Sequence, residues 1–197
     1  MSSLFVPRSQ SDILALVQCY PLAWVVSRDH NAPATPLPLL AECEGDGRIG
    51  SLFGHFARRN PQVEALQTSP KALILFQGPQ GYISGRLVSK PKWGPTWNYA
   101  VARFDVHIEF VPNEIDKALR ALAAHLEAGQ VEPWTVERMG ERYKELQQYI
   151  IAFRAHVERV DATFKLGQDE TRETFEEIVA GHSNKELTKW MRRLRDG

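Results

Sequence analysis

Two runs of strict alternation constrain the fold of this chain more than any other feature. In Arg103–Val111 the apolar residues Phe104, Val106, Ile108 and Phe110 alternate with Arg103, Asp105, His107 and Glu109. Alternation returns at Ile151–Val157, where Ile151, Phe153, Ala155 and Val157 face one way and Ala152, Arg154, His156 and Glu158 the other. A period of two marks a strand with one face in a core. Helical sequence separates the two runs. Asn113 is placed to cap a helix with the stripe Ile115, Ala118, Leu119, Leu122 and Leu126, and a second helix is predicted over Thr135–Gln148. A sheet that gains a strand after two helices has to close late in the sequence, as a barrel does.

The remaining pattern fits a strand-rich first half and a helical end. A helix is predicted from Ser9 or Ser11 to Cys19, with Ser9 and Asp12 as a capping pair and Pro21 as its stop. Leu22–Ser27 reads as a strand and Arg28–Pro33 as a turn. Thr35–Ala41 and Arg48–Phe53 read as strands joined by a hairpin at Glu44–Gly47. Pro36 and Pro38 cannot donate to a ladder and put the first of these at an edge. A helix over Asn60–Gln67 has Pro61 in its first turn. Lys71–Gln77 is a buried strand, Gly78–Gly81 a turn and Tyr82–Val88 a further strand. Helices come next near Glu170–Ala180 and Asn184–Arg195, the last with Ser183 and Glu186 as a capping box. Its stripe of Leu187, Trp190, Met191 and Leu194 is expected to dock on the barrel or on a partner subunit, leaving Lys185, Lys189, Arg192, Arg193 and Arg195 outside.

The chain of 197 residues is long enough to bury a core, and a single α+β domain over 1–197 is expected. Its barrel would occupy about 1–165 and its outer C-terminal helices about 166–197. Lys plus Arg number 24 and Asp plus Glu 24, a balance that argues against a free-standing DNA-binding protein. No apolar run reaches bilayer length and no signal core follows Met1, so a cytoplasmic protein without a membrane partner is expected. Cys19 and Cys43 lack zinc or redox spacing and are expected to be two buried thiols. Nucleophile-elbow, P-loop and dinucleotide fingerprints are absent. The six histidines, His30, His55, His107, His125, His156 and His182, include no pair with zinc-protease spacing, although His107 and His156 could meet across a sheet.

Three segments carry possible chemistry. Gly54–Pro61 ends a strand and enters a helix, so Arg58 and Arg59 beside free backbone N–H groups suit a phosphate; a solvated basic loop accounts for the same residues. In Gly94–Tyr99, Trp97 and Asn98 offer a stacking surface and a polar handle, or else simply a packed strand start. In Phe164–Asp169, Lys165 and Gln168 sit at a strand-to-helix junction, where ligand groups are often placed and where an ordinary solvated connection is the alternative.

In their order these segments resemble the PaiB-like family of FMN-binding negative transcriptional regulators. The matching pieces are Phe5-Val6-Pro7, Thr35-Pro36-Leu37-Pro38-Leu39, Gly54-His55 through Asn60-Pro61, Phe76-Gln77-Gly78-Pro79 with Tyr82-Ile83-Ser84, Pro95-Thr96-Trp97-Asn98-Tyr99, and Lys165-Leu166-Gly167-Gln168. The resemblance implies an FMN-binding split β-barrel, akin to pyridoxamine-phosphate oxidases, working as a homodimer with two FMN sites between subunits. It implies that Arg58 and Arg59 hold the phosphate and that Thr35, Pro36 and Leu37 lie along the isoalloxazine. Lys165 and Gln168 would reach the flavin, often from the other subunit. His55, Asn60, Trp97 and Asn98 complete the implied cofactor-binding set, with His55 the candidate for handling a proton or orienting a small-molecule ligand. The sequence departs from the family pattern at Pro36, Gly85–Val88, Arg103, Asp105 and Val106. The implied function is a flavin-linked regulator or sensor, with direct DNA reading disfavoured by the charge balance. The alternatives are an FMN-dependent oxidoreductase acting on a small molecule, and a haem-binding barrel with His55, His107 or His156 as axial ligand.

Overall fold

A computed structural model describes residues 3–29 and 33–196. The turn expected over Arg28–Pro33, and His30 with it, lies partly outside them. The elements are α1 (Gln10–Cys19), β1 (Leu22–Ser27), β2 (Ala34–Pro38), β3 (Leu40–Cys43), β4 (Ile49–Ala57), α2 (Pro61–Thr68), β5 (Lys71–Ile83), β6 (Thr96–Phe110), α3 (Ile115–Leu126), α4 (Arg142–Gln147), β7 (Ile150–Lys165), α5 (Arg172–Gly181) and α6 (Lys185–Asp196). The strands form an antiparallel sheet in the order β2-β1-β5-β6-β7-β4-β3. The expected α+β fold is observed, and the alternating runs are its two longest strands, β6 and β7, lying side by side.

The two edge strands β2 and β3 are consecutive in the chain. The stretch Thr35–Ala41, expected as one strand, divides at Leu39, which is fully buried and donates its N–H to the Pro21 carbonyl at 2.9 Å. The sheet therefore curls round until its edges meet through the chain itself. The Glu44–Gly47 hairpin forms as expected, with Gly47 at a positive φ of 82°.

Several local expectations are corrected. Gly78–Gly81 is not a turn: β5 runs through it with a bulge between Gln77 and Gln80. These glycines permit close approach. A Cβ on Gly78 would come within 2.3 Å of Leu16, and one on Gly81 within 2.9 Å of Leu187. The strand expected to reach Val88 stops at Ile83 and gives way to a 3₁₀ turn at Gly85–Leu87. The helix expected over Thr135–Gln148 breaks at Gly140 (φ 56°) into a 3₁₀ turn, Val136–Met139, and the short α4. Asn113 falls inside a 3₁₀ turn, and α3 starts at Ile115 without a side-chain cap. The Ser9 hydroxyl bonds Ser11 and Asp12 side chains instead of capping α1. For α6 the cap is Asn184, whose Oδ1 accepts from Leu187 N at 3.1 Å, in place of Ser183. Both cysteines are exposed, contrary to expectation, because Cys19 ends α1 and Cys43 ends β3 at the hairpin.

One core joins the inner face of the sheet to α1, α2, α5 and α6. Leu187, Trp190, Met191 and Leu194 are all buried in it, so the α6 stripe docks on this chain's own barrel. No helix among the described residues is long and apolar enough to cross a membrane.

Candidate functional site

The segment Gly54–Pro61 is divided by strand alternation. Gly54 faces inward: a Cβ there would lie 2.4 Å from Leu39 and 3.2 Å from the Pro38 carbonyl. His55 consequently faces outward with Phe53, pairs in register with Ala152, and lies beneath α3. Its Nδ1 is buried with no hydrogen-bond partner, and burial pushes the imidazole below its ordinary pKa, so the ring is held neutral. Arg58 folds back on the chain, donating from Nε to Gln148 O at 3.2 Å and from Nη2 to Ile150 O at 2.9 Å. Arg59 is exposed and makes no hydrogen bond or ion pair among the described residues. Asn60 caps α2, its Oδ1 accepting from Gln62 N at 2.9 Å, and donates from Nδ2 to Thr35 Oγ1 at 2.9 Å.

Thr35, Arg59 and Asn60 are thus gathered at the N-terminus of α2. This end of a helix carries unpaired N–H groups and partial positive charge. Pro36 beside them is exposed, and Leu37 packs partly on the core.

Trp97, Asn98, Lys165 and Gln168 form a second group elsewhere. Trp97 is half exposed, donates its indole N–H to Gln80 and tilts against Tyr82 with ring centroids 5.9 Å apart. Asn98 is buried and donates to the Met191 sulfur at 3.7 Å, an anchor for α6. Lys165 pairs in register with Tyr99 and donates to Thr96 Oγ1. Gln168 closes the turn after β7, accepting from Leu166 N at 2.7 Å and donating to Phe164 O. The two groups are separate: Arg58 is tied to Ile150 at the start of β7, and Thr35 and Asn60 meet at the head of α2, whereas Lys165 ends β7 beside Thr96. Thr35 is level, through β1 and β5, with Phe104 on β6. At about 3.3 Å per residue, Trp97 stands roughly 23 Å further along that strand.

The positions that depart from the family pattern have structural partners. Asp105 gathers Arg28, Arg103 at 3.6 Å and Arg159 at 3.0 Å. Its carboxyl stays below the usual range, since these arginines outweigh its desolvation. Val106 is buried in the core and Gly85–Val88 form the 3₁₀ turn. His107 and His156 do pair across the sheet, yet His156 bonds Glu109 at 2.7 Å. No group of three or more metal-binding side chains occurs among the described residues. Arg154 binds Glu42 at 2.7 Å and Glu114, stacks 4.7 Å from the Phe53 centroid, and draws the Glu114 pKa down to about 2.

Sequence reasoning missed a groove of about 430 Å³ between α3 and α4. The α3 stripe was legible, but not the groove it roofs. Trp134, Tyr143 and Tyr149, spaced along the chain beyond α3, are the signal that more than a core lies there.

Comparison with known proteins places these features. The family described as "Putative FMN-binding domain" matches residues 1–159. The chain belongs to this family. The match ends before Lys165 and Gln168. The chain is 27% identical over 191 residues to "Protease synthase and sporulation protein PAI 2" of Bacillus subtilis (strain 168), covering 93% of this chain and 91% of that one, so the PaiB-like resemblance holds. Among solved structures, the FAD and heme binding protein from Mycobacterium smegmatis has a TM-score of 0.59 at 19% identity, covering 88% of this chain and 78% of that one. The flavocytochrome Anf3 from Azotobacter vinelandii has a TM-score of 0.60 at 14% identity, covering 79% and 67%. These likenesses establish the split-barrel fold.

Proposed function

We propose that two copies of this chain form an FMN-binding homodimer that acts as a flavin-linked regulator or sensor. The observation that carries this reading is the division of the flavin-binding candidates into two separate groups, one at the head of α2 and one where β6 and β7 meet past Tyr99. Thr35, Pro36, Leu37, Arg59 and Asn60 would come from one copy, and Trp97, Lys165 and Gln168 from the other, so one copy alone holds only half of the set.

The residues present fit a flavin phosphate. Arg59 is an uncommitted guanidinium beside the N-terminus of α2, and Asn60 fixes the Thr35 hydroxyl next to it. Arg58 has a different task in this reading: it ties the end of β4 to the start of β7 through carbonyls. Bound flavin would supply one- or two-electron redox chemistry, while these residues bind and orient it.

An exposed apolar row supports the dimer. Pro36, Trp24 and Leu75 are register neighbours across β2, β1 and β5, and each is exposed. Such a row on a sheet face marks an interaction surface. Regulation would be indirect in this reading, because the α6 stripe is committed to the barrel and the chain carries no net charge.

The test is subunit complementation. Arg59→Ala and Lys165→Ala should each weaken FMN binding at least about tenfold, as expected when a charge-assisted contact is lost. Refolded together, the two variants should recover about a quarter of the sites, because half the dimers are mixed and each mixed dimer has one intact site. Recovery of no site in demonstrably mixed dimers would place both residues in one subunit's site and refute the shared arrangement.

A further inference from the structure

The groove between α3 and α4 lies on the opposite face of β4 from Gly54 and the β2–β3 edge, so it is not continuous with the proposed flavin phosphate site. His55 lies at its base, and Leu119, Leu122, Ala123, Trp134 and Tyr143 build its walls. A concave, mostly apolar site of this size with few polar groups is what a small-molecule ligand requires. Of the other polar groups around it, Glu127 and the Tyr143 hydroxyl are committed, while the Trp134 indole N–H and the Tyr149 hydroxyl make no hydrogen bond among the described residues. Glu127 accepts from Trp134 N at 3.0 Å, and the Tyr143 hydroxyl donates to Asp116 at 2.8 Å. No lysine or arginine lines the groove, so nothing there offsets an anion's charge.

His55 sets the polar requirement at the base of the groove. Buried N–H groups without acceptors are rarer than under-used acceptors, which puts the ring proton on Nε2 and leaves Nδ1 as the unpartnered buried atom. The accessible edge of the ring therefore offers the groove one hydrogen-bond donor and no charge.

We infer that this groove binds a neutral, planar, fused-ring aromatic molecule whose carbonyl accepts a hydrogen bond from His55. The aromatic walls stack on its faces, and the absence of a cation discriminates against phosphorylated or carboxylated ligands. A second copy of the chain is a poorer occupant, because the exposed apolar row lies on β2, β1 and β5, whereas the groove lies over β4 and β7.

The probe is Nile red, a neutral fused-ring dye with a ring carbonyl, added to the full chain with and without saturating FMN. The expected result is one dye per chain with blue-shifted emission, unchanged by FMN. Ala123→Trp, which fills the groove, should weaken binding more than about tenfold, and His55→Phe about fivefold, the size of one hydrogen bond. Leu126→Lys, at the exposed rim, gives a second variant that does not depend on core packing and should also weaken it. The anionic dye 8-anilinonaphthalene-1-sulfonate should bind more weakly than Nile red. Displacement of Nile red by FMN would make the groove the flavin's own place and overturn the proposal. So would equal binding of the anionic dye, or full binding by both folded groove variants. Failure of FMN to bind at all, with Nile red still held, would refute only the flavin reading.

Discussion

Two amphipathic helices cover this barrel, and they use their apolar stripes differently. On α6, Leu187, Trp190, Met191 and Leu194 are all buried, with Trp190 set between Tyr20 and Phe164 at 5.9 Å from each ring. On α3 only Ala118 is buried; Leu119 and Leu122 are partly buried and Leu126 exposed. The stripe spacing is alike in the two sequences. The difference lies in the surroundings of each helix. Polar side chains anchor α6 into the core through Asn98 and Asn184, whereas Gly140 breaks the segment after α3 and holds its second wall away as a short α4. One helix completes the core, and the other roofs an open groove.

The largest expected effect comes directly from this contrast. Trp190→Ala should cost about 3–5 kcal/mol in urea unfolding, as for a large aromatic removed from a closed core. Leu122→Ala should cost less than about 1 kcal/mol, since its site is already partly open. Comparable losses at both positions would show that the groove is closed in solution.

An intermediate effect is expected at the foot of α3. Arg154 joins Glu42 on β3 to Glu114 just before α3, with its side chain largely buried over Phe53. Arg154→Ala should cost about 2 kcal/mol, the scale of hydrogen bonds to charged groups. If α3 were held by its stripe alone, the loss would be near zero.

The smallest effect concerns His55. The unfolded chain takes up a proton on this residue below about pH 6.5, its ordinary value, while burial in the folded chain resists protonation. The stability due to the neutral ring is therefore complete above that pH and declines as pH falls toward the lowered folded value. Urea midpoints measured from about pH 7.5 to about pH 5.5 should fall in the wild type, and the fall should be shallower in His55→Phe. An identical slope in both would show that His55 is not buried neutral.

Much of the fold was legible in the sequence because period two and period 3.6 are local signals. β6, β7, the β3–β4 hairpin and α6 all arise from them. Glycine was the main source of error. The sequence Gly78-Pro79-Gln80-Gly81 has turn composition, but the two glycines serve packing against Leu16 and Leu187, distant contacts that no local pattern contains. Of the candidate site, Asn60 at the head of α2 and its partner Thr35 lie together, and this rests on a side-chain bond between the cap of α2 and β2 that spacing cannot reveal. The tie from Arg58 to the carbonyls of Gln148 and Ile150 was equally hidden, since an arginine next to another arginine reads the same whether it is free or engaged.

The junction at Leu39 has a consequence for how this molecule meets others. It brings the two edge strands, each short, together within one chain, and Pro36 and Pro38 remove donors from one of them. Short strands and missing donors make these edges poor templates for a foreign strand. Association therefore has to be written in side chains on the faces of the sheet and not in backbone hydrogen bonds, which leaves it open to adjustment by single substitutions and closed to runaway strand addition.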